Sequence, residues 1–158
     1  MRRKDKKISN NDKIENILRN GEILRIAMID GDRPYLIPVN YGYIDNTIYI
    51  HCATEGKKID LIKANNNICF QTEIGVKIKN LDVAYKCSTL YQSIIGYGKA
   101  SFVDTPKDKK LGADAIMNQY RKEDGIKHKY GSCLKEVCII KIDIDPISGK
   151  ESFDSHLD

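Results

Sequence analysis

The hydrophobic period of the chain changes several times, and each change marks an element. Asn10-Asn11-Asp12 caps a predicted helix to about Asn20, with Ile14, Ile17 and Leu18 on one face and Gly21 as its stop. From Glu22 the period falls to two. Leu24, Ile26 and Met28 alternate with Ile23, Arg25 and Ala27, and Asp30-Gly31-Asp32 then turns the chain into a hairpin. The return strand is predicted over residues 35–43, with Tyr35, Ile37, Val39, Tyr41 and Tyr43 on one face. Pro38 has no N–H to give a ladder, so this strand is expected at an edge or bulged.

Asp45-Asn46 leads into a strand over residues 47–53, where Ile48, Ile50 and Cys52 face away from Tyr49, His51 and Ala53. Thr54 is expected to cap a helix that begins near Glu55, carries Ile59, Leu61 and Ile62, and stops at Asn65-Asn66-Asn67. A strand over 68–73 follows. Residues 74–90 show no clear period, and 91–103 read as a long strand with Gly96, Gly98 and Ala100 on one face. Pro106 opens a helix to about Tyr120, striped by Leu111, Ala115, Ile116 and Gln119. Residues 121–132 read as loop, 136–144 as a last strand ending at Asp145-Pro146, and 152–158 as a tail.

Six or so short antiparallel strands with two or three helices predict a mainly β fold with flanking helices. A flat sheet of this size would leave edges exposed, so a small closed or nearly closed barrel is expected. The domain organisation is a basic, flexible terminus over 1–9, one domain over 10–150 and a tail over 151–158.

Length and composition fit one ordinary globular unit: 158 residues, 41% apolar and 30% charged. Charge changes the picture more. The net +4 is already present in the first seven residues, and residues 8–158 carry 21 charges of each sign. The basic signal thus belongs to a solvated terminus, and no nucleic-acid partner is expected. Five cysteines, Cys52, Cys69, Cys87, Cys133 and Cys138, form no CxxC pair. Neither a disulfide framework nor a zinc site is favoured, no metal is expected, and reduced thiols point to a cytoplasmic protein. No apolar run suits a signal peptide or a membrane span. GxGxxG, Walker, GxSxG and HExxH motifs are absent.

The informative segment is His51-Cys52-Ala53-Thr54-Glu55-Gly56-Lys57-Lys58, a strand end running into a helix start. A helix N-terminus presents free N–H groups and partial positive charge, so two lysines there are opposed by the dipole. A phosphate reverses that sign: it can accept from the backbone at Gly56 and Lys57 and from a lysine side chain, and Gly56 admits a close approach. The plainer reading is a surface helix with solvated lysines, one offset by Glu55. His51 shares a face with Tyr49 near this position, where a neutral imidazole could bond a ligand or pass a proton. Cys52, its neighbour, points to the opposite face, so the two do not form a Cys-His pair. The bare face at Gly96 and Gly98 suits either a flat ring or barrel closure.

Three blocks then become recognisable: Pro34-Tyr35-Leu36-Ile37-Pro38-Val39-Asn40-Tyr41-Gly42-Tyr43, Tyr49-Ile50-His51-Cys52-Ala53 with Gly56-Lys57-Lys58, and Tyr91-Gln92-Ser93-Ile94-Ile95-Gly96-Tyr97-Gly98-Lys99-Ala100. In this order and spacing the chain resembles the nitroimidazole-resistance branch of the pyridoxamine 5'-phosphate oxidase-like flavoproteins, over roughly residues 1–150. The resemblance implies an antiparallel FMN-binding split β-barrel that works as a homodimer, with the flavin in a groove between subunits. It implies that Val39, Asn40 and Tyr41 line the isoalloxazine, that His51, Cys52 and Ala53 run beneath the flavin and its ribityl chain, and that Lys57 and Lys58, with Gly56, hold the phosphate. Ser93 is implied as a further cofactor contact and His51 as the catalytic residue. Cys52 departs from the family's serine, removing a hydroxyl, and Tyr41 stands where phenylalanine is common. The expected function is an FMN-dependent oxidoreductase passing electrons from a small donor to a small flat acceptor such as a nitroaromatic. A non-catalytic flavin-storage protein and a pyridoxamine-phosphate-oxidase-like oxidase are the alternatives.

Overall fold

The computed structural model of the chain describes residues 3–83, 85, 87–122, 128–130, 134 and 136–152. A short 3-10 turn, Lys4–Lys6, precedes β1 (Lys7–Ile8) and α1 (Asn11–Asn20). Then come β2 (Leu24–Asp30), β3 (Arg33–Val39), β4 (Tyr41–Ile44), β5 (Thr47–Cys52) and α2 (Lys57–Ala64). The last elements are β6 (Asn67–Lys79), β7 (Ser88–Val103), α3 (Pro106–Arg121) and β8 (Cys138–Ser152). The strands form one antiparallel sheet in the order β3-β2-β6-β7-β8-β5-β4, with β1 paired to β8.

The order contains the main departure from the sequence pattern. The strand predicted over 35–43 is two strands, broken at Asn40: β3 pairs with β2, and β4 pairs with β5. Strands adjacent in the chain thus stand at opposite ends of the sheet. One residue carries the backbone from one edge to the other, which curls the sheet into a barrel, and no ladder joins β3 to β4. The barrel is split there. Pro38 lies on β3, paired only on its β2 side, in keeping with the expected edge strand.

Side chains of Tyr41 and α3 tie the seam to backbone carbonyls of α1 and the turn after it. The Tyr41 hydroxyl donates to the Leu18 carbonyl at 2.6 Å, and Gln119 Nε2 donates to the same oxygen at 2.9 Å. The Tyr120 hydroxyl donates to the Glu22 carbonyl at 2.8 Å and accepts from the Tyr41 N–H at 3.2 Å. Asn10 caps α1 as expected, accepting from the Asp12 and Lys13 N–H groups. Thr105 caps α3 and accepts from the Asp108 N–H.

The core is the inward set of the strands: Leu24, Ile26, Met28, Ile48, Ile50, Ile68, Phe70, Ile94, Ile140 and Ile142 are all buried. α3 covers the outer face of β4 and β5, where Tyr49, Val103, Ala115, Ile116 and Ile139 form a second cluster. Gly42 brings β4 against the α3 backbone at Ala115 and Ile116. Leu111, predicted on the buried stripe of α3, is exposed.

Three boundaries differ from expectation for physical reasons. β8 passes through Asp145-Pro146 because the register shifts there: Gly96 pairs with Ile147 and Gly98 with Ile144, so a bulge takes the proline. Glu151 and Ser152 are accordingly buried strand residues and not tail; residues 153–158 lie outside the described set. At the other end, β1 pairs Lys7 with Lys150 and Ile8 with Gly149, and Ile8 is buried, so the flexible terminus expected over 1–9 does not extend through β1. The loop expected over 121–132 lies largely outside the described residues. Gly96 and Gly98 face the interior: a Cβ at Gly96 would run into the Phe70 ring, and one at Gly98 into the Asp143 carbonyl. Their bareness serves barrel packing, and the flat-ring reading of that face is withdrawn.

Candidate functional site

Helix α2 starts two residues later than predicted. Gly56, at φ 115°, occupies the N-cap position, and neither Thr54 nor any other side chain caps the helix. A positive φ of this kind is strained for residues with a Cβ, which explains glycine here. Lys57 and Lys58 are therefore the first two helical residues, where N–H groups have no intrahelical acceptor. The Gly56 carbonyl accepts from Ile59 at 2.8 Å and Asp60 at 3.2 Å, which closes the first turn and leaves the two lysine N–H groups outward. A Cβ placed on Gly56 would meet nothing within 4 Å, so the space before the helix is open. Free donors, open space and lysines form a cradle suited to a phosphate.

The lysines differ. Lys57 Nζ lies 2.5 Å from Asp30 Oδ2, at the far end of β2, and 4.8 Å from the centroid of the Tyr35 ring. The Asp30 hydrogen bond raises the Lys57 pKa above its ordinary value. Lys58 has no ion pair among the described residues, and its charge acts on Cys52. Asp30 and Tyr35 were missed as site residues. The Asp30-Gly31-Asp32 signal reads only as a turn, and nothing in the spacing ties it to a helix 27 residues on.

The β4–β5 register brings most of the remaining residues to the same end of the barrel. Tyr41 pairs with Ile50, Asn40 precedes Tyr41 and His51 follows Ile50, so Asn40 and His51 flank the last rung. Asn40, His51, Ala53 and Gly56 are exposed, whereas Val39 and Cys52 are half-buried and pack on the core. His51 has no hydrogen-bond partner among the described residues. Tyr41 is corrected in role: the whole residue is buried, its N–H is taken by the Tyr120 hydroxyl and its own hydroxyl by the Leu18 carbonyl, burial raises its hydroxyl pKa, and it offers a ligand no exposed surface. Burial likewise pushes the Cys52 thiol up to about 11, against the opposing charge of Lys58.

Ser93 stands apart. It lies on β7, paired with Glu73 and Lys150, on the outward face that also carries Ile95 and Tyr97. The row Pro38, Arg25, Gln71, Ile95 places that part of β7 three strands from β3, about 14 Å at the usual spacing. Within one chain Ser93 does not join the His51–Lys58 segment. No group of three or more metal-ligating side chains occurs among the described residues, and no described helix is long and apolar enough to cross a membrane.

The split antiparallel barrel, with a cationic helix start beside its seam, defines a class of small β-barrel proteins. The chain belongs to the pyridoxamine 5'-phosphate oxidase family, whose profile matches residues 10–151. Among solved structures it is similar to a candidate 5-nitroimidazole antibiotic resistance protein from Bacteroides thetaiotaomicron, at 27% identity and TM-score 0.79, over 92% of this chain and 86% of that one. It shares its fold with an FAD and heme binding protein from Mycobacterium smegmatis (TM-score 0.80, 14% identity, 94% and 74% of the two chains). The same holds for the flavocytochrome Anf3 from Azotobacter vinelandii (TM-score 0.81, 13% identity, 100% and 74%). A curated relative, the uncharacterized protein RA0666 of Rhizobium meliloti, is 25% identical over 65 residues, 41% of this chain and 42% of its own length.

Proposed function

We propose that the protein is an FMN-dependent oxidoreductase that passes electrons from a small reduced donor to a small flat acceptor, a nitroaromatic compound being the favoured class. The observation that carries the reading is the α2 start: N–H groups at Lys57 and Lys58 without an intrahelical acceptor, open space at Gly56, and a Lys58 charge with no ion pair among the described residues suit one phosphate ester. The family and the flavin-binding neighbours of the same fold support a flavin as the bearer of that phosphate. When bound, the flavin supplies the electron chemistry. The chain's part is to hold the phosphate at Gly56, Lys57 and Lys58, to carry the ring along Val39 and Asn40, and to present His51, on its exposed face, as hydrogen-bond or proton partner.

A homodimer completes this arrangement. The outward face of β2, β3, β6 and β7 exposes Ile29, Leu36, Ile95 and Tyr97, and Ile29 and Tyr97 line a cleft of about 360 Å³ there. Exposed apolar surface of this kind marks an association face. Ser93 lies on that same face of β7, so a second copy seated there brings its Ser93 toward a flavin held by the first. Four described cysteines are free, in keeping with a reducing, cytoplasmic setting.

The test is spectroscopic. The purified protein is expected to be yellow, or to become so on adding FMN, and its photoreduced form to be reoxidised by a nitroimidazole under nitrogen. Protein that stays colourless and takes up no FMN would end the proposal; FMN that binds without exchanging electrons with any acceptor would favour a storage role.

A further inference from the structure

The last rung of the β5–β8 ladder is a pair of cysteines. Cys52 closes β5, Cys138 opens β8, and the two are direct partners. Direct partners in an antiparallel pair have Cα atoms about 4.5–5.5 Å apart, inside the range of about 4.4–6.8 Å that a disulfide spans. Both side chains continue the inward alternation of their strands and pack against the barrel core. The thiols are half-buried and free, and Cys138 helps to raise the Cys52 pKa from across the rung.

We propose that Cys52 and Cys138 are a redox modification site that forms a reversible cross-strand disulfide, with a low-molecular-weight disulfide such as oxidised glutathione as the oxidant. One cysteine of the pair, losing its proton as it attacks, bonds to one sulfur of the small disulfide and expels one small thiolate. The other cysteine, losing its proton in turn, displaces the second small thiolate from the mixed disulfide. The two released thiolates take up the two cysteine protons, and two electrons pass from the cysteine pair to the small disulfide. Burial raises the Cys52 thiol, and the Lys58 charge opposes that and favours its thiolate when it attacks. The bond ties the end of β5 to the start of β8, at the root of the segment that leads into α2. It closes a long chain loop, the geometry in which a cross-link restricts the unfolded state most.

The inference stands whether or not FMN binds. The full-length protein is equilibrated in mixtures of oxidised and reduced glutathione, quenched by alkylation, digested and mapped by mass spectrometry. A Cys52–Cys138 cross-linked peptide is expected, reversed by dithiothreitol, with a melting midpoint raised by about 5 °C or more. Cys52→Ser and Cys138→Ser should each abolish the cross-link. Glutathione adducts without the cross-link, no oxidation of the pair, or a link from Cys138 to Cys133 would overturn the proposal. The map on the native chain decides the question even if a variant fails to fold.

Discussion

Lys57 Nζ sits 2.5 Å from Asp30 Oδ2, so one of the two lysines at the α2 start is already engaged by a carboxylate from the opposite end of β2. Tyr35 lies under the same ammonium group. A phosphate arriving at Gly56 must share Lys57 with Asp30, while Lys58 offers its charge outright. The pair gives the helix start a fixed cation and an available one.

Asp30→Asn should therefore release Lys57 and tighten FMN by about threefold, the scale of one exposed ion pair, while leaving riboflavin affinity unchanged. Lys58→Ala should weaken FMN more than Lys57→Ala does. Flavin fluorescence titrations of the three variants check both expectations. Equal losses for FMN and riboflavin would show that the lysines do not act through phosphate.

Tyr41→Phe removes the buried hydroxyl that joins the seam to α1. The Leu18 carbonyl keeps Gln119 as a donor, so the expected cost is about 1–2 kcal/mol and not that of an orphaned acceptor. Thermal unfolding should shift down by about 2–6 °C. Flavin binding by the folded variant should be unchanged, because the hydroxyl faces the core.

Gly96→Ala places a methyl group against the Phe70 ring. The expected loss is about 1–3 kcal/mol, and pairing the change with Phe70→Leu should recover part of it. Denaturant unfolding of the two single variants and the double variant measures this coupling. A Gly96→Ala protein of native stability with impaired flavin binding would instead restore the flat-ring reading of that face.

Asp114 supplies the pH dependence. Burial raises its carboxyl, but Lys110 at 2.7 Å, the His128 N–H at 2.8 Å and the Tyr130 hydroxyl at 3.0 Å outweigh burial and hold it below the ordinary carboxylate value. A depressed carboxyl stabilises the fold fully above its unfolded pKa, near 4, and the contribution is lost as pH falls through the lower folded value. Asp114→Asn should cost about 1–2 kcal/mol at pH 7 and progressively less as the pH is taken below about 4. Urea unfolding across this pH range is the check.

The barrel's inward faces are legible in the sequence because alternation records one-sided burial: Leu24, Ile26 and Met28, or Ile48 and Ile50, announce their side directly. The seam is not legible, because the alternation from Tyr35 to Tyr43 runs through Asn40 without interruption while the hydrogen-bond partners change. Residues 74–90 resist reading for the opposite reason. The β6–β7 ribbon there leaves Val76 and Ile78 exposed, and without a buried face it has no period to show. Gly56, Lys57 and Lys58 could be found because helix-start chemistry is local. Asp30 as the Lys57 partner and Cys138 as the Cys52 partner could not, because the packing of α2 against β2 sets the first and strand register the second.

The central claim is that this helix start holds the phosphate of a flavin, and titration of the native protein with FMN and with riboflavin tests it most directly. The account predicts one FMN per chain, bound at least about tenfold more tightly than riboflavin, a difference of about 1.4 kcal/mol carried by the phosphate. Equal affinity for the two flavins, or no binding of either, would contradict it.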